Sequence, residues 1–327
     1  MAEAGEAGET TDASDADTTT TPLRVGIIGA GAVGNALLAA LGARGAEADL
    51  RAVAIASRTF SHARAAARRV TGCEALDGLD ALETLAARCD LVFIATPDDA
   101  IQTVAESVAW RRGQAVAHLS GAQGVAPLAT AMARGARVAA LHPLMTFPRA
   151  LRAAPAEQIL ARLAGASWAL ECADADLAAR LTRFIAALEG QVIALTERDR
   201  APYHLSGVLA SNYLVSLLGA ATELWAGWGV GRDEALRALL PLARATIENL
   251  EAVGLPAALT GPIARGDVGA VRIHEEWLRA HTESSEDGVA LREVYSALGR
   301  LTLPLAREKG ALDPATITAL REALEEG

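Results

Sequence analysis

From Leu23 to about Thr196, short apolar runs alternate with stretches of helical period, the pattern of a mostly parallel sheet covered on both faces. The runs predict strands at residues 24–28, 50–56, 73–76, 91–95, 115–119, 137–141, 167–171 and 191–195. Between the last two, residues 174–188 read as a helix capped by Asp174. After Thr196 the strand signal stops. One long helix is expected over 198–228 and another over 232–253. A Gly- and Pro-rich break at 254–267 leads into a third helix from Val268, and further helices follow at 286–309 and 314–325. Asp313 and Pro314 make a cap and first-turn pair for the last of these. The expected fold is thus an α/β Rossmann domain at 22–197 and an all-helical domain at 198–327.

Composition adds limits. A chain of 327 residues can bury two cores. Residues 1–21 carry Glu3, Glu6, Glu9, Asp12, Asp15 and Asp17 with no basic residue, and are expected to form a disordered acidic tail. They supply six of the formal net −10 and have neither the basic start nor the apolar centre of a signal peptide. No basic face is left for nucleic acid. The most apolar run, 205–221, is interrupted by Ser206, Ser211, Asn212 and Ser216, so a buried helix is expected and no membrane partner. Cys73, Cys89 and Cys172 have the spacing of neither a disulfide framework nor a zinc site. No metal and a cytoplasmic location are expected.

The first predicted strand runs into GIIGAGAVGNAL, which sets Gly29, Gly31 and Gly34 in a GxGxxG pattern, with Ala30 and Val33 between them. Gly29 allows the tight turn, Gly31 lets the backbone approach a pyrophosphate, and Gly34 lets helix and strand pack closely. The end of the second strand offers Ser57, Arg58 and Thr59 where NAD sites usually carry a carboxylate. A guanidinium and two hydroxyls suit a 2′-phosphate, so NADP(H) is the expected cofactor. Thr96 and Pro97, at the end of the fourth strand, would border it. Asp98 or Asp99 is expected to cap the next helix.

On the substrate side, the fifth strand ends in His118-Leu119-Ser120-Gly121 and the sixth in LHPLMTF, which places His142 near a nicotinamide. Hydride transfer to a carbonyl or imine needs a proton donor and groups that stabilise charge. His142 is the expected donor, Ser120 the polarising group, and His118 and Gly121 expected substrate contacts. The first long helix carries Tyr203, His204 and Asn212 in an apolar setting, where polar groups need partners. His204 and Asn212 are expected in the catalytic cleft. Arg265, in LTGPIARGD, is suited to a substrate carboxylate; Asp267 is expected to cap the helix that bears His274, a further substrate-side candidate.

HLSG, LHPLMTF, the YH…N helix and LTGPIARGD followed by His274 together resemble a bacterial family of Rossmann-like proteins whose C-terminal half is a domain of unknown function, DUF2520. That family is similar in architecture to pyrroline-5-carboxylate reductases, ketopantoate reductases and β-hydroxyacid dehydrogenases. The resemblance implies a helical domain of the 6-phosphogluconate-dehydrogenase C-terminal type and a homodimer joined through it. Ketopantoate reductases and β-hydroxyacid dehydrogenases use a lysine four residues before an asparagine. Here Val208 stands four before Asn212, and Lys309 is the sole lysine, so lysine acid–base chemistry is excluded at that position. Ser120 and His142 instead resemble the pair in prephenate dehydrogenases, although Thr146 and Phe147 depart from their glycine.

The function expected from all this is NADP(H)-dependent oxidoreduction at the C=O or CH–OH of a small carboxylate-bearing substrate. An imine reductase of pyrroline-5-carboxylate type and a non-catalytic NADP(H)-binding sensor stand as alternatives.

Overall fold

The computed structural model describes residues 21–282 and 286–325; the acidic segment expected to be disordered lies, but for Thr21, outside them. The chain divides into two compact units, Met1–Ser211 and Asn212–Gly327.

The first unit contains β1 (Leu23–Ile28), α1 (Ala32–Arg44), β2 (Leu50–Ala56), α2 (Phe60–Ala67), β3 (Glu74–Leu76), α3 (Ala81–Arg88), β4 (Leu91–Ile94) and α4 (Asp98–Glu106). It continues with β5 (Ala115–His118), α5 (Ala129–Ala133), β6 (Arg137–Pro143), α6 (Ala156–Leu163), β7 (Ser167–Cys172), α7 (Ala175–Ala187), β8 (Gln191–Ala194) and α8 (Arg200–Gly207). The strands form one sheet in the order β3-β2-β1-β4-β5-β6-β7-β8. Neighbours run parallel except β6 and β7, which are antiparallel. Hydrophobic alternation does not encode strand direction, so this reversal is seen only in the pairing.

Both faces of the sheet are covered. Val25 and Ile27, Phe93, Ala115 and Ala117 face one core with α1, α6 and α7; Ile28, Val92, Ile94 and Val116 face the other with α3 and α4. That two-sided burial is why the strands read as continuous apolar runs. The register Ile28–Ile94–His118–Ala140 carries one row across the carboxyl ends of β1, β4, β5 and β6. Strand order switches between β1 and β4, where open α/β sheets leave their ligand crevice.

The long helix expected from residue 198 is interrupted. A 3₁₀ turn at Glu197–Asp199 leads into α8, and a π segment, Val208–Asn212, separates α8 from α9 (Tyr213–Leu224). Such π turns inside α-helices are frequent at functional sites. The expectation that 205–221 is buried is not met: Leu205, Leu209, Tyr213 and Val215 are all more than half exposed. The stretch Glu197–Trp228 is, by length and composition only, apolar enough to cross a membrane.

The second unit holds α9, α10 (Arg232–Val253), a short α11 (Gly261–Arg265) inside the expected break, α12 (Val268–Thr282), α13 (Glu286–Glu308) and α14 (Pro314–Glu325). Val271, Leu303, Leu320, Ala323 and Leu324 form the core among α12, α13 and α14. Asp267 Oδ1 accepts from the Ala270 N–H and Asp313 Oδ1 from the Thr316 N–H, so both cap as expected. Lys309 Nζ donates to the carbonyls of Ala257 and Leu259, which gives the lone lysine a structural use.

Candidate active site

Two of the three glycines after β1 are dictated by the fold. Gly29 sits at φ 117°, and a Cβ there would collide with the Ala95 carbonyl; a Cβ on Gly34 would collide with the Gly29 carbonyl. Gly31 differs, because a Cβ there would meet no atom of the described residues within 4 Å. Its glycine is therefore not needed for packing, and the open space beside it suits a ligand that approaches the backbone. α1 starts at Ala32, one residue on, and its first N–H groups have no side-chain cap, as an anion site at a helix start requires. Asn35 Nδ2 donates to the carbonyls of Ala30 and Gly31 at 2.9 Å and fixes the turn. Ala30 is buried, while Val33 is partly exposed.

After β2, Ser57 is half-buried while Arg58 and Thr59 are exposed. The Arg58 side chain makes no hydrogen bond or ion pair among the described residues. After β4, the Thr96 hydroxyl is buried without a partner among the described residues, and Pro97 precedes α4. A free cation, a cleared glycine and an orphaned hydroxyl after β2, β1 and β4 leave room and polar groups for a dinucleotide at the carboxyl edge of the sheet.

The loop after β5 is closed on itself. His118 is fully buried; its Nε2 donates to the Gly124 carbonyl at 2.7 Å, and its Nδ1 accepts from the Ser120 N–H at 3.2 Å. Burial above all holds its pKa below the ordinary histidine range. With both ring nitrogens used, His118 pins the loop and has no atom left for a substrate, contrary to expectation. Ser120 Oγ donates its one proton to Asp98 Oδ2 at 2.6 Å and accepts from the N–H groups of Ala122 and Gln123. The polarising role expected of Ser120 is thus spent within the loop. Asp98 correspondingly binds Ser120 rather than capping α4, whose N-cap is Pro97.

His142 lies on β6, two residues beyond the register row of His118 and Ala140. Gly121 packs against its ring: a Cβ on Gly121 would lie 2.8 Å from His142 Nε2. His142 Nδ1 meets the Tyr203 hydroxyl at 2.8 Å, with the rings edge to face. Burial, then the nearby His204 and Arg200, push the His142 pKa down to about 4. Burial pushes Tyr203 up to about 12. The pair is therefore uncharged around neutrality. His204, next along α8, is exposed.

One turn before Tyr203, Arg200 is 2% exposed. Its Nε donates to Glu171 Oε2 at 3.1 Å and its Nη2 to the Ala140 carbonyl at 3.3 Å. Sequence patterning missed this ion pair and gave Tyr203 no role. The available signal was spacing: Arg200, Tyr203 and His204 stand at i, i+3 and i+4 on one helical face.

Residues 9–143 match the model of a Rossmann-like domain, and residues 166–302 match the domain of unknown function DUF2520. The chain is a Rossmann-like and DUF2520 domain-containing protein. His142 thus falls at the end of the Rossmann-like match, while its hydrogen-bond partner Tyr203 and the Arg200–Glu171 ion pair fall in the DUF2520 match. No curated protein matches in sequence.

Solved structures share the fold. A Bacteroides fragilis protein ascribed NADP oxidoreductase activity aligns with a TM-score of 0.63 at 21% identity, over 85% of this chain and 97% of its own. 1-Pyrroline-5-carboxylate reductase of Streptococcus pyogenes aligns at 0.55 and 16%, over 94% and 98%. A reductive aminase of Aspergillus terreus, solved with NADPH and ethyl-5-oxohexanoate, aligns at 0.53 and 18%, over 94% and 93%.

The remaining candidates belong to the second unit. Asn212 ends the π segment and is exposed, and Arg265 is the exposed last residue of α11. His274, on α12, is exposed and its Nδ1 meets the Tyr295 hydroxyl of α13 at 2.9 Å. Among the described residues no group of three or more His, Cys, Asp or Glu could hold a metal ion.

Proposed function

We propose that this protein is an NADP(H)-dependent oxidoreductase that reduces a C=N bond in a small carboxylate-bearing substrate. Gly29, Ala30, Gly31, Val33 and Gly34 would cradle the pyrophosphate, Ser57, Arg58 and Thr59 the 2′-phosphoribose, and Thr96 and Pro97 the inner edge. The dinucleotide, when bound, supplies the hydride.

The observation that carries the choice of C=N is the uncharged His142–Tyr203 pair. Reduction of a carbonyl requires a proton from the protein as the hydride arrives, and efficient donors titrate near the working pH. A histidine held at about 4 and a tyrosine at about 12 both fall outside that range. An iminium carries its proton with it. His142 and Tyr203 then orient the substrate and exclude water, and His204 lies close enough to be felt by His142. The solved relatives that act on pyrroline carboxylate, and the reductive aminase, support the same bond type. Carbonyl reduction, with Tyr203 delivering the proton, is the second reading; the hydroxyl bonded to the ring favours it.

Consumption of NADPH with cyclic imino acids and with 2-keto acids, measured across pH, tests the choice. Turnover of imino acids that follows the iminium pKa of each substrate is the expected result. Turnover confined to keto acids, with a limb at an ordinary histidine pKa, would overturn it.

Asn212, Arg265 and His274 of the helical unit are proposed as carboxylate-binding residues. That unit also exposes Val215, Trp228, Leu242, Val253, Ile273 and Leu301, a set that a second copy of this chain would cover. Light scattering should give twice the chain mass; a monomer at micromolar concentration would contradict the dimer.

A further inference from the structure

We infer that Arg200 is a positioning residue that sets the His142–Tyr203 pair, with Glu171 as the group that holds it. The inference rests on the proposed role of that pair.

Two rungs join the first turns of α8 to β6. One is Arg200 Nη2 to the Ala140 carbonyl at 3.3 Å, and the other is the Tyr203 hydroxyl to His142 Nδ1 at 2.8 Å. On the strand the two rungs are two residues apart, about 6.6 Å; on the helix they are three apart, about 4.5 Å of rise. With the first rung fixed, the Tyr203 hydroxyl is held within reach of His142. The first rung is itself fixed from β7, because Glu171 is the register partner of Ala140 and binds Arg200 Nε at 3.1 Å. Glu171 also backs the β5 loop: its Oε2 would lie 2.8 Å from a Cβ on Gly124, the residue whose carbonyl receives His118.

A guanidinium 2% exposed is costly to keep unless it is paired, and here one nitrogen, Nη1, has no partner among the described residues. An aliphatic residue would fill the site with less penalty. What it would lack is a directional hold on the strand, and a fixed positive charge close to His142. The charged and titratable groups felt by His142 are His204, Arg200 and Tyr203 on α8 and Asp98 at the start of α4. Of these, Arg200 and His204 favour the neutral ring, and Asp98 opposes them.

The test uses ¹⁵N NMR of the imidazole of His142 in the full chain, which reports tautomer and titration without any cofactor or substrate. In the wild type a single neutral tautomer is expected, with the proton on Nε2 and Nδ1 receiving Tyr203. Arg200→Gln should mix the tautomers and raise the titration midpoint. Arg200→Lys, which keeps the charge and reaches Glu171, should restore both. Unchanged tautomer and midpoint in Arg200→Gln would overturn the inference. If Arg200→Gln does not fold, Glu171→Gln decides: mixed tautomers uphold the inference and an unchanged ring overturns it. A protein that shows the expected NMR behaviour but turns over no substrate would fail as a reductase while the positioning role stands.

Discussion

The Tyr203 hydroxyl lies 2.8 Å from His142 Nδ1, and the two rings meet edge to face at 88°. This contact ties the first turns of the α8 helix to the strand end where a reacting group would sit. Tyr203→Phe keeps the ring contact and removes only the hydroxyl. The net loss of one such hydrogen bond is about 1 kcal/mol of stability. Turnover should fall further, by about 10²-fold if Tyr203 orients or protonates the substrate, with the NADPH dissociation constant unchanged. Steady-state rates beside calorimetric titration check both; equal losses in binding and turnover would place Tyr203 elsewhere.

Gly121→Ala probes the same ring from its other side. The added methyl would press on His142 Nε2, Cε1 and Cδ2 at 2.8 to 3.0 Å. His142 must move, so kcat should drop while NADPH binding persists. Unaltered kcat would show that the position of the ring does not matter to the chemistry.

The glycine turn offers a sharper pair. Gly31→Ala meets no atom of the described residues, so stability should change by less than about 0.5 kcal/mol while NADPH affinity falls at least tenfold. Gly34→Ala strikes the Gly29 carbonyl, so it should destabilise the fold itself by about 1–3 kcal/mol. Thermal melts and cofactor titrations of both variants separate the two effects. A Gly31→Ala protein that binds NADPH as tightly as wild type would remove the pyrophosphate from that space.

The pH dependence of stability follows from His142. Its folded pKa of about 4 lies below its ordinary value of 6.5, so between the two the unfolded chain binds the proton and the folded chain does not. Stability from this residue is complete above about pH 6.5 and is lost as pH falls towards 4, by at most about 3 kcal/mol. Denaturant melts of wild type and His142→Asn between pH 7 and 4 check it: the wild type should lose stability more steeply. Parallel slopes would show that His142 titrates normally.

Most strands were legible because both sheet faces are buried, which leaves runs such as Leu91–Ile94 with no polar position. Helix ends were legible where local chemistry marks them: Gly254 after α10, and Asp313 with Pro314 at α14. The reversal of β7 and the π segment at Val208–Asn212 carry no such mark. Apolarity over 205–221 signals only that side chains avoid water, and these side chains stay exposed within this chain. In the site, the glycine turn and His142 were readable from strand ends. Arg200 and Glu171 were not, since 29 residues separate them and only the β6–β7 register brings them together. Ser120 and His118 were placed correctly at a strand end, but their partners Asp98 and Gly124 come from tertiary structure.

The central claim is an NADP(H) site, and the most direct measurement is fluorescence titration of the purified protein with NADPH and, separately, with NADH. The account predicts NADPH binding with at least a tenfold preference, a preference that Arg58→Ala abolishes without loss of stability, since Arg58 is exposed and bonds nothing else among the described residues. Binding of neither dinucleotide would contradict the account and leave the glycine turn to some other ligand.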